Sequence, residues 1–153
     1  MKIISTANAP AAIGPYSQGY EANGFVYTSG QIPVDPANGN IPEGIEAQAH
    51  QSCKNVGAIL EAAGVDFSKV FKTTCFLADM ADFAAFNAVY EQYFVSKPAR
   101  SCVAVKTLPK NVLCEIEAIA EKEESFRGAV IYLTDPRNFG MIFQKGGGGF
   151  GTS

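Results

Sequence analysis

Residues 45–78 read IEAQAHQSCKNVGAILEAAGVDFSKVFKTTCFLA, and a change of period inside this stretch decides the fold. Ile45, Ala49, Cys53, Val56, Leu60 and Ala63 recur three or four residues apart, the spacing that lines one face of a helix, and Gly64 stands where a helix C-cap belongs. From residue 67 to 78 the pattern becomes that of a buried strand carrying Val70, Thr73, Thr74, Cys75, Phe76 and Leu77. A helix and a core strand thus follow one another with only a short turn between them.

Working outward toward the C-terminus, Asp79 is the expected N-cap of a second helix with Phe83, Phe86, Val89 or Tyr90, and Phe94 on one face, and Pro98 ends that element. Residues 101–107 and 112–122 read as two strands, and Leu108, Pro109, Lys110 and Asn111 between them suit a hairpin. Toward the N-terminus, residues 17–21 follow a Gly14-Pro15 turn, and Asn23-Gly24 marks a hairpin before the β-rich run 25–29. Residues 30–34 continue the extended chain until Asp35-Pro36 and Asn38-Gly39 break it. The order βββ-α-β-α-ββ predicts an α+β fold, a single mixed sheet with two helices packed on one face. The other face then needs a cover, and a second copy of the same sheet is the economical one, which predicts a homo-oligomer.

The chain has 153 residues, 47% hydrophobic and 18% charged, enough for one well-buried core but not for two domains. No apolar run approaches the ~20 residues of a membrane helix. Twelve Lys and Arg against fifteen Asp and Glu leave a formal charge of −3, and the pI near 5.1 disfavours nucleic acid as a partner. Residues 1–10 lack the apolar core of a secretory signal, so the cytoplasm is the expected compartment. Cys53, Cys75, Cys102 and Cys114 form no CxxC pair and have only His50 to join them, so free thiols are expected rather than a zinc site. Beyond residue 124 the character changes. Residues 129–133 have the composition of one more strand, and the glycine run at 146–149 is expected to be flexible. The predicted organisation is a core domain over 1–124 and a C-terminal extension over 125–153.

Polar residues gather in four places where a plain strand or turn does not need them. Tyr16 follows the Gly14-Pro15 turn, either presenting its hydroxyl or serving as a core aromatic with a wet tip. Ser29 lies in a small polar cluster that local hydroxyl-to-backbone bonds would also explain. Arg100, at the entrance of an apolar strand, offers a planar fork of donors that matches a carboxylate, its alternative being a structural ion pair with a glutamate. Cys102 has no histidine near it in sequence to activate it as a nucleophile. Glu115 and Glu117 share one face of a strand by the two-residue period, and either could meet a cation. A hairpin closed with Thr107 opposite Val112 would set Arg100 across from Ile119 and Cys102 across from Glu117, which does not choose between the acids. Asn87, a polar residue on the second helix, carries little weight by itself.

GPYSQG (14–19), TSGQIP (28–33), NVGAILEAAG (55–64), KTTCFLADM (72–80), PARSCVAV (98–105) and CEIEAIA (114–120) together resemble the RidA family, also called YjgF or L-PSP, over residues 1–124 in unbroken order. The resemblance implies a chorismate-mutase-like fold, a homotrimer with sites between subunits, and no cofactor. It implies hydrolysis of reactive enamines and imines, such as 2-aminoacrylate, 2-iminopropanoate and 2-iminobutanoate, to 2-keto acids and ammonia. By position in the motifs, Arg100 matches the carboxylate-binding arginine and Glu115 the water-positioning glutamate. Tyr16, Ser29, Asn87 and Cys102 match the residues that line the pocket. The connection from Phe94 to Pro98 is shorter than in many relatives, and residues 125–153 have no counterpart there. Two other readings stand beside this one: an endoribonuclease or translation inhibitor, and a non-catalytic trimeric binder of small metabolites.

Overall fold

The period-3.6 stretch folds as helix α1 (Ile45–Ala62) in the computed structural model, which describes residues 1–122. Its end is a Schellman closure: Gly64 takes φ +79°, the Gly64 amide donates to the Glu61 carbonyl and the Val65 amide to the Leu60 carbonyl. Around it stand strands β1 (Lys2–Ile4), β2 (Gly19–Ala22), β3 (Phe25–Thr28), β4 (Val70–Leu77), β5 (Ala99–Ala104) and β6 (Cys114–Glu121), with helix α2 (Phe83–Tyr93) between β4 and β5. They form one mixed sheet in the order β1-β2-β3-β6-β4-β5, antiparallel except for the β4–β5 pair. Both helices lie on one face. Cys114, Ile116, Ala118 and Ala120 of β6 and Thr73, Cys75 and Leu77 of β4 point under them into a core with Val56, Ile59, Leu60, Phe86 and Phe94. A register shift between Val70 and Lys72 lets Val70 point the same way as Thr73.

Three sequence expectations change here. The hairpin between residues 101–107 and 112–122 does not form, because β4 lies between the two strands. Strand β5 returns parallel to β4 after the α2 crossover, with Thr73 opposite Arg100 and Cys75 opposite Cys102. The connection that looked like a hairpin turn is a 3-10 turn (Pro109–Asn111) between buried Leu108 and Val112, and it carries the chain past the end of β4. Residues 30–34 are not a strand. Only Gln31 bridges to the sheet, at Ile116, and the buried Asn55 amide donates to the Ile32 and Val34 carbonyls at 3.0 and 2.9 Å, holding the run against α1 instead. The first strand of the sheet is β1, which the sequence did not announce. Asp79 caps a 3-10 turn (Met80–Asp82), accepting from the Ala81 amide, and α2 begins only after it. The predicted extension over 125–153, with its expected strand at 129–133, lies outside the described residues.

The open face of the sheet carries Tyr20, Phe25, Tyr27, Phe71 and Val103, each between 36% and 48% exposed. Phe25 packs edge-on against Phe71 with ring centroids 5.6 Å apart. No helix among the described residues is long and apolar enough to cross a membrane.

Candidate functional site

The two-residue alternation of strands assigns the candidate residues to opposite faces. Arg100 is opposite Thr73, whose side chain points under the helices, so the arginine leaves β5 on the helix side and lies across α2. There Phe83, Asn87 and Tyr90, at i, i+4 and i+7, form one helix face to receive it. The guanidinium carbon sits 5.5 Å from the Phe83 ring centroid and 4.7 Å from that of Tyr90, and Nη1 donates to Asn87 Oδ1 at 2.8 Å. No carboxylate among the described residues pairs with it. Asn87 is therefore not an idle surface amide.

Cys102 follows on the same face, half-buried. Burial raises its thiol, and the nearby Arg100 opposes that only in part, so this is not an activated thiolate. Cys75 and Cys114 are pushed up to about 12 by burial, and Cys53 also lies well above the ordinary range. All four cysteines are free. His50 Nδ1 is 2.8 Å from the Tyr93 hydroxyl, and among the described residues no three His, Cys, Asp or Glu side chains gather as a metal site would need.

Glu115 is opposite Phe76 on β4, hence on the open face, with Glu117 two residues along on the same side. Its carboxyl packs against the backbone of Gly30: a Cβ there would stand 1.9 Å from Oε1 and 2.9 Å from Cδ. Burial, and then the like charge of Glu117, raise the Glu115 carboxyl above the ordinary carboxylate range. The chain that supplies Gly30 is held on both sides. The Gln31 backbone amide donates to the Ile116 carbonyl at 2.8 Å and the Gln31 carbonyl accepts from the Ile116 amide at 3.2 Å, while the Ser29 amide donates to the Gln18 carbonyl and its hydroxyl to the Ser17 carbonyl. Gln18, 5% exposed, saturates its side chain: Oε1 accepts from the Thr6 amide, and Nε2 donates to the carbonyls of Thr6, Ala9 and Pro10. Tyr16, half exposed, lies two residues before it, and with Gly30 it lines a cavity of about 220 Å3 whose walls include Pro10, Ile13, Ile32 and Asp35.

The structure thus brings the six candidates into two groups, Arg100 with Asn87 and Cys102 on the helix side, and Glu115 with Ser29 and the Tyr16 loop at the open side. Gly30, Gln18, Tyr90, Phe83 and Thr73 support these groups and were not singled out in the sequence. Gln18 and Gly30 stood inside the GPYSQG and TSGQIP motifs, which was the available signal.

The family model described as Endoribonuclease L-PSP matches residues 6–122. The chain is 56% identical over 123 residues to a Salmonella typhimurium protein named 2-iminobutanoate/2-iminopropanoate deaminase, covering 78% of this chain and 96% of that one. The Escherichia coli K12 protein of the same name is 54% identical with the same coverage. A crystal structure of Escherichia coli TdcF with bound serine superposes with a TM-score of 0.78 at 50% identity, covering 80% of this chain and all of that one. A match across nearly the whole described fold, at more than half identity to full-length relatives, places the chain in the endoribonuclease L-PSP family, the RidA family that its motifs resemble.

Proposed function

We propose that this chain hydrolyses reactive 2-imino acids and their enamine tautomers, 2-aminoacrylate and 2-iminopropanoate among them, to 2-keto acids and ammonia. The observation that carries the reading is Arg100: a hydrogen-bonded guanidinium held over two aromatic rings, with no carboxylate partner among the described residues, is a receptor for one. The names of the Salmonella and Escherichia coli relatives support the reaction, and serine bound to TdcF is a small ligand that carries a carboxylate. In this mechanism Arg100 grips the substrate carboxylate, and Glu115, in its ionised form, takes a proton from a water as the water oxygen bonds to C2. That proton passes to the imine nitrogen as C=N becomes C–N; Glu115 then takes the proton of the new C2 hydroxyl and returns it to the amine, the C–N bond breaks as C2–O becomes C=O, and ammonia departs from a 2-keto acid. Tyr16, Ser29, Asn87 and Cys102 shape the pocket. A charge of −3 offers no basic field for an RNA backbone, which favours this reading over ribonuclease action.

The working unit in this proposal is a homotrimer of chorismate-mutase-like subunits. Arg100 and Glu115 leave the sheet on opposite faces and do not meet across it within one chain, whereas a cleft between copies can join the arginine of one to the glutamate of the next. The aromatic open face gives such copies a surface to bury. The test mixes the variants Arg100→Ala and Glu115→Gln after unfolding them together. Each alone is nearly inactive, keeping at most about a tenth of the wild-type imine hydrolysis, and random reassembly raises it to about a quarter, since half the arginine donors and half the glutamate donors are intact. Wild-type protein that does not outpace buffer hydrolysis of imine from an amino-acid oxidase overturns the reaction. Mixtures that stay inactive overturn the shared site.

A further inference from the structure

We infer that Tyr90, locked by Thr73, is a positioning residue that sets the plane of the Arg100 guanidinium for the substrate carboxylate. The inference rests on the reading of Arg100 as the carboxylate receptor. Tyr90 reaches the arginine through its ring and reaches the sheet through its hydroxyl. The ring lies 4.7 Å under the guanidinium carbon, and the hydroxyl is 2.6 Å from Thr73 Oγ1, a side chain only 1% exposed. Thr73 is the register partner of Arg100 on the neighbouring strand. Strand β4, helix α2 and strand β5 therefore contribute one residue each to a closed loop of contacts, hydroxyl to hydroxyl, ring to cation, strand to strand.

The ring cannot turn within that loop. Beyond its tether at the hydroxyl it stacks on Phe94, with centroids 4.3 Å apart and planes inclined by 20°, and Phe94 is itself 1% exposed. Burial pushes the Tyr90 hydroxyl up to about 12, so it keeps its proton at any working pH. A fixed ring presents a fixed face, and a guanidinium held over that face between Tyr90 and Phe83 is restrained against it. Asn87 Oδ1 then takes one N–H from Nη1, leaving the other donors of the fork in one set orientation. Binding a carboxylate to a guanidinium already held this way spares most of the cost of ordering a long side chain. An arginine with the same charge on a free stem would bear that cost at each binding event.

The experiment compares Tyr90→Leu, Tyr90→Phe and Thr73→Val in the full chain by steady-state kinetics on 2-iminopropanoate, by calorimetric titration with pyruvate, and by 15N relaxation of the Arg100 Nε–H, assigned from its loss in Arg100→Lys. Tyr90→Leu is expected to raise both KM and the pyruvate Kd about three- to tenfold with kcat within about twofold, and to add nothing to Arg100→Ala. Its Arg100 Nε–H becomes mobile. Tyr90→Phe keeps the ring and recovers most of the affinity, with mobility between the two, and Thr73→Val behaves like it. A folded Tyr90→Leu with unchanged KM and pyruvate affinity overturns the inference, as does a fall in kcat alone or an equal loss in the Arg100→Ala background. If Tyr90→Leu does not fold, unchanged Arg100 relaxation in both Tyr90→Phe and Thr73→Val overturns it. Wild-type protein without imine hydrolysis would instead overturn the proposed reaction, while pyruvate affinity and Arg100 relaxation still decide the role of Tyr90.

Discussion

Gly30→Ala is a one-methyl perturbation aimed at Glu115 alone. Gly30 does not occupy the left-handed region, so alanine takes its backbone conformation without strain. The methyl, however, would stand 1.9 Å from Glu115 Oε1, 2.9 Å from Cδ and 3.1 Å from Cγ. To regain the ~3.5 Å of an ordinary non-bonded contact the oxygen must retreat by roughly 1.6 Å. The backbone cannot retreat in its place, because Gln31 is bonded in both directions to Ile116 and Ser29 is bonded to Ser17 and Gln18. The carboxyl, at the free end of a side chain, swings aside instead. Stability should then change by less than about 1 kcal/mol, the strain being small and the unfolded chain slightly stiffened. Catalysis has no such freedom: a displacement of ~1 Å at a group that must hold a water and take its proton costs about 100-fold in rate. Coupled imine hydrolysis beside thermal unfolding reads both quantities. Joined to Glu115→Gln, the substitution should add little, because the carboxylate it displaces is already gone. Full activity in a folded Gly30→Ala protein would refute the assignment of Glu115 to the water, and a large loss of stability would refute the claim that the side chain yields rather than the backbone.

Arg100→Lys should lower kcat/KM by about ten- to a hundredfold, nearly as far as Arg100→Ala, because it keeps the charge but gives up the planar fork and the second hydrogen bond; wild-type kinetics in the lysine variant would show that charge suffices. Because the Glu115 carboxyl is raised, the acid limb of the pH–rate profile should lie above the ordinary carboxylate range, and Glu117→Gln, by removing a like charge, should shift it to lower pH. The same raised value makes the ionised carboxyl a cost to the folded state that sets in as pH rises from the unfolded toward the folded pKa. Glu115→Gln should accordingly unfold at a higher temperature than wild type at pH 7 and at the same temperature in acid, where both forms are neutral. A chain ending at Glu124 should keep its activity and its thermal midpoint, since relatives covered over 95% or more of their own length align to 123–127 residues of this chain and the family match stops at 122; insolubility or loss of activity would give residues 125–153 a structural role.

Helices α1 and α2 were legible because their signal is local. Ile45, Ala49, Cys53, Val56 and Leu60 must share a face whatever they pack on, and Gly64 must end that helix wherever it lies. The alternation in residues 114–120 likewise put Glu115 and Glu117 together whatever strand they pair with, and the residue chemistry together with the family resemblance offered Arg100, Asn87, Tyr16, Ser29 and Cys102 as candidates. Pairing is another matter. Strands β5 and β6 alternate in the same way whether they pair with each other or with β4, because alternation reports which side of a sheet is buried and carries nothing about the neighbour across the hydrogen bonds. Insertion of β4 between them, the capture of residues 30–34 by Asn55, and the hold on Arg100 by Asn87 and Tyr90 of α2 with Thr73 of β4 all join residues that are not neighbours in the chain. Those contacts exist only once the sheet has closed. The same closure sends Arg100 to one face and Glu115 to the other, so that neither the order of the residues nor their spacing could tell that the two charged groups of the proposed reaction stand back to back.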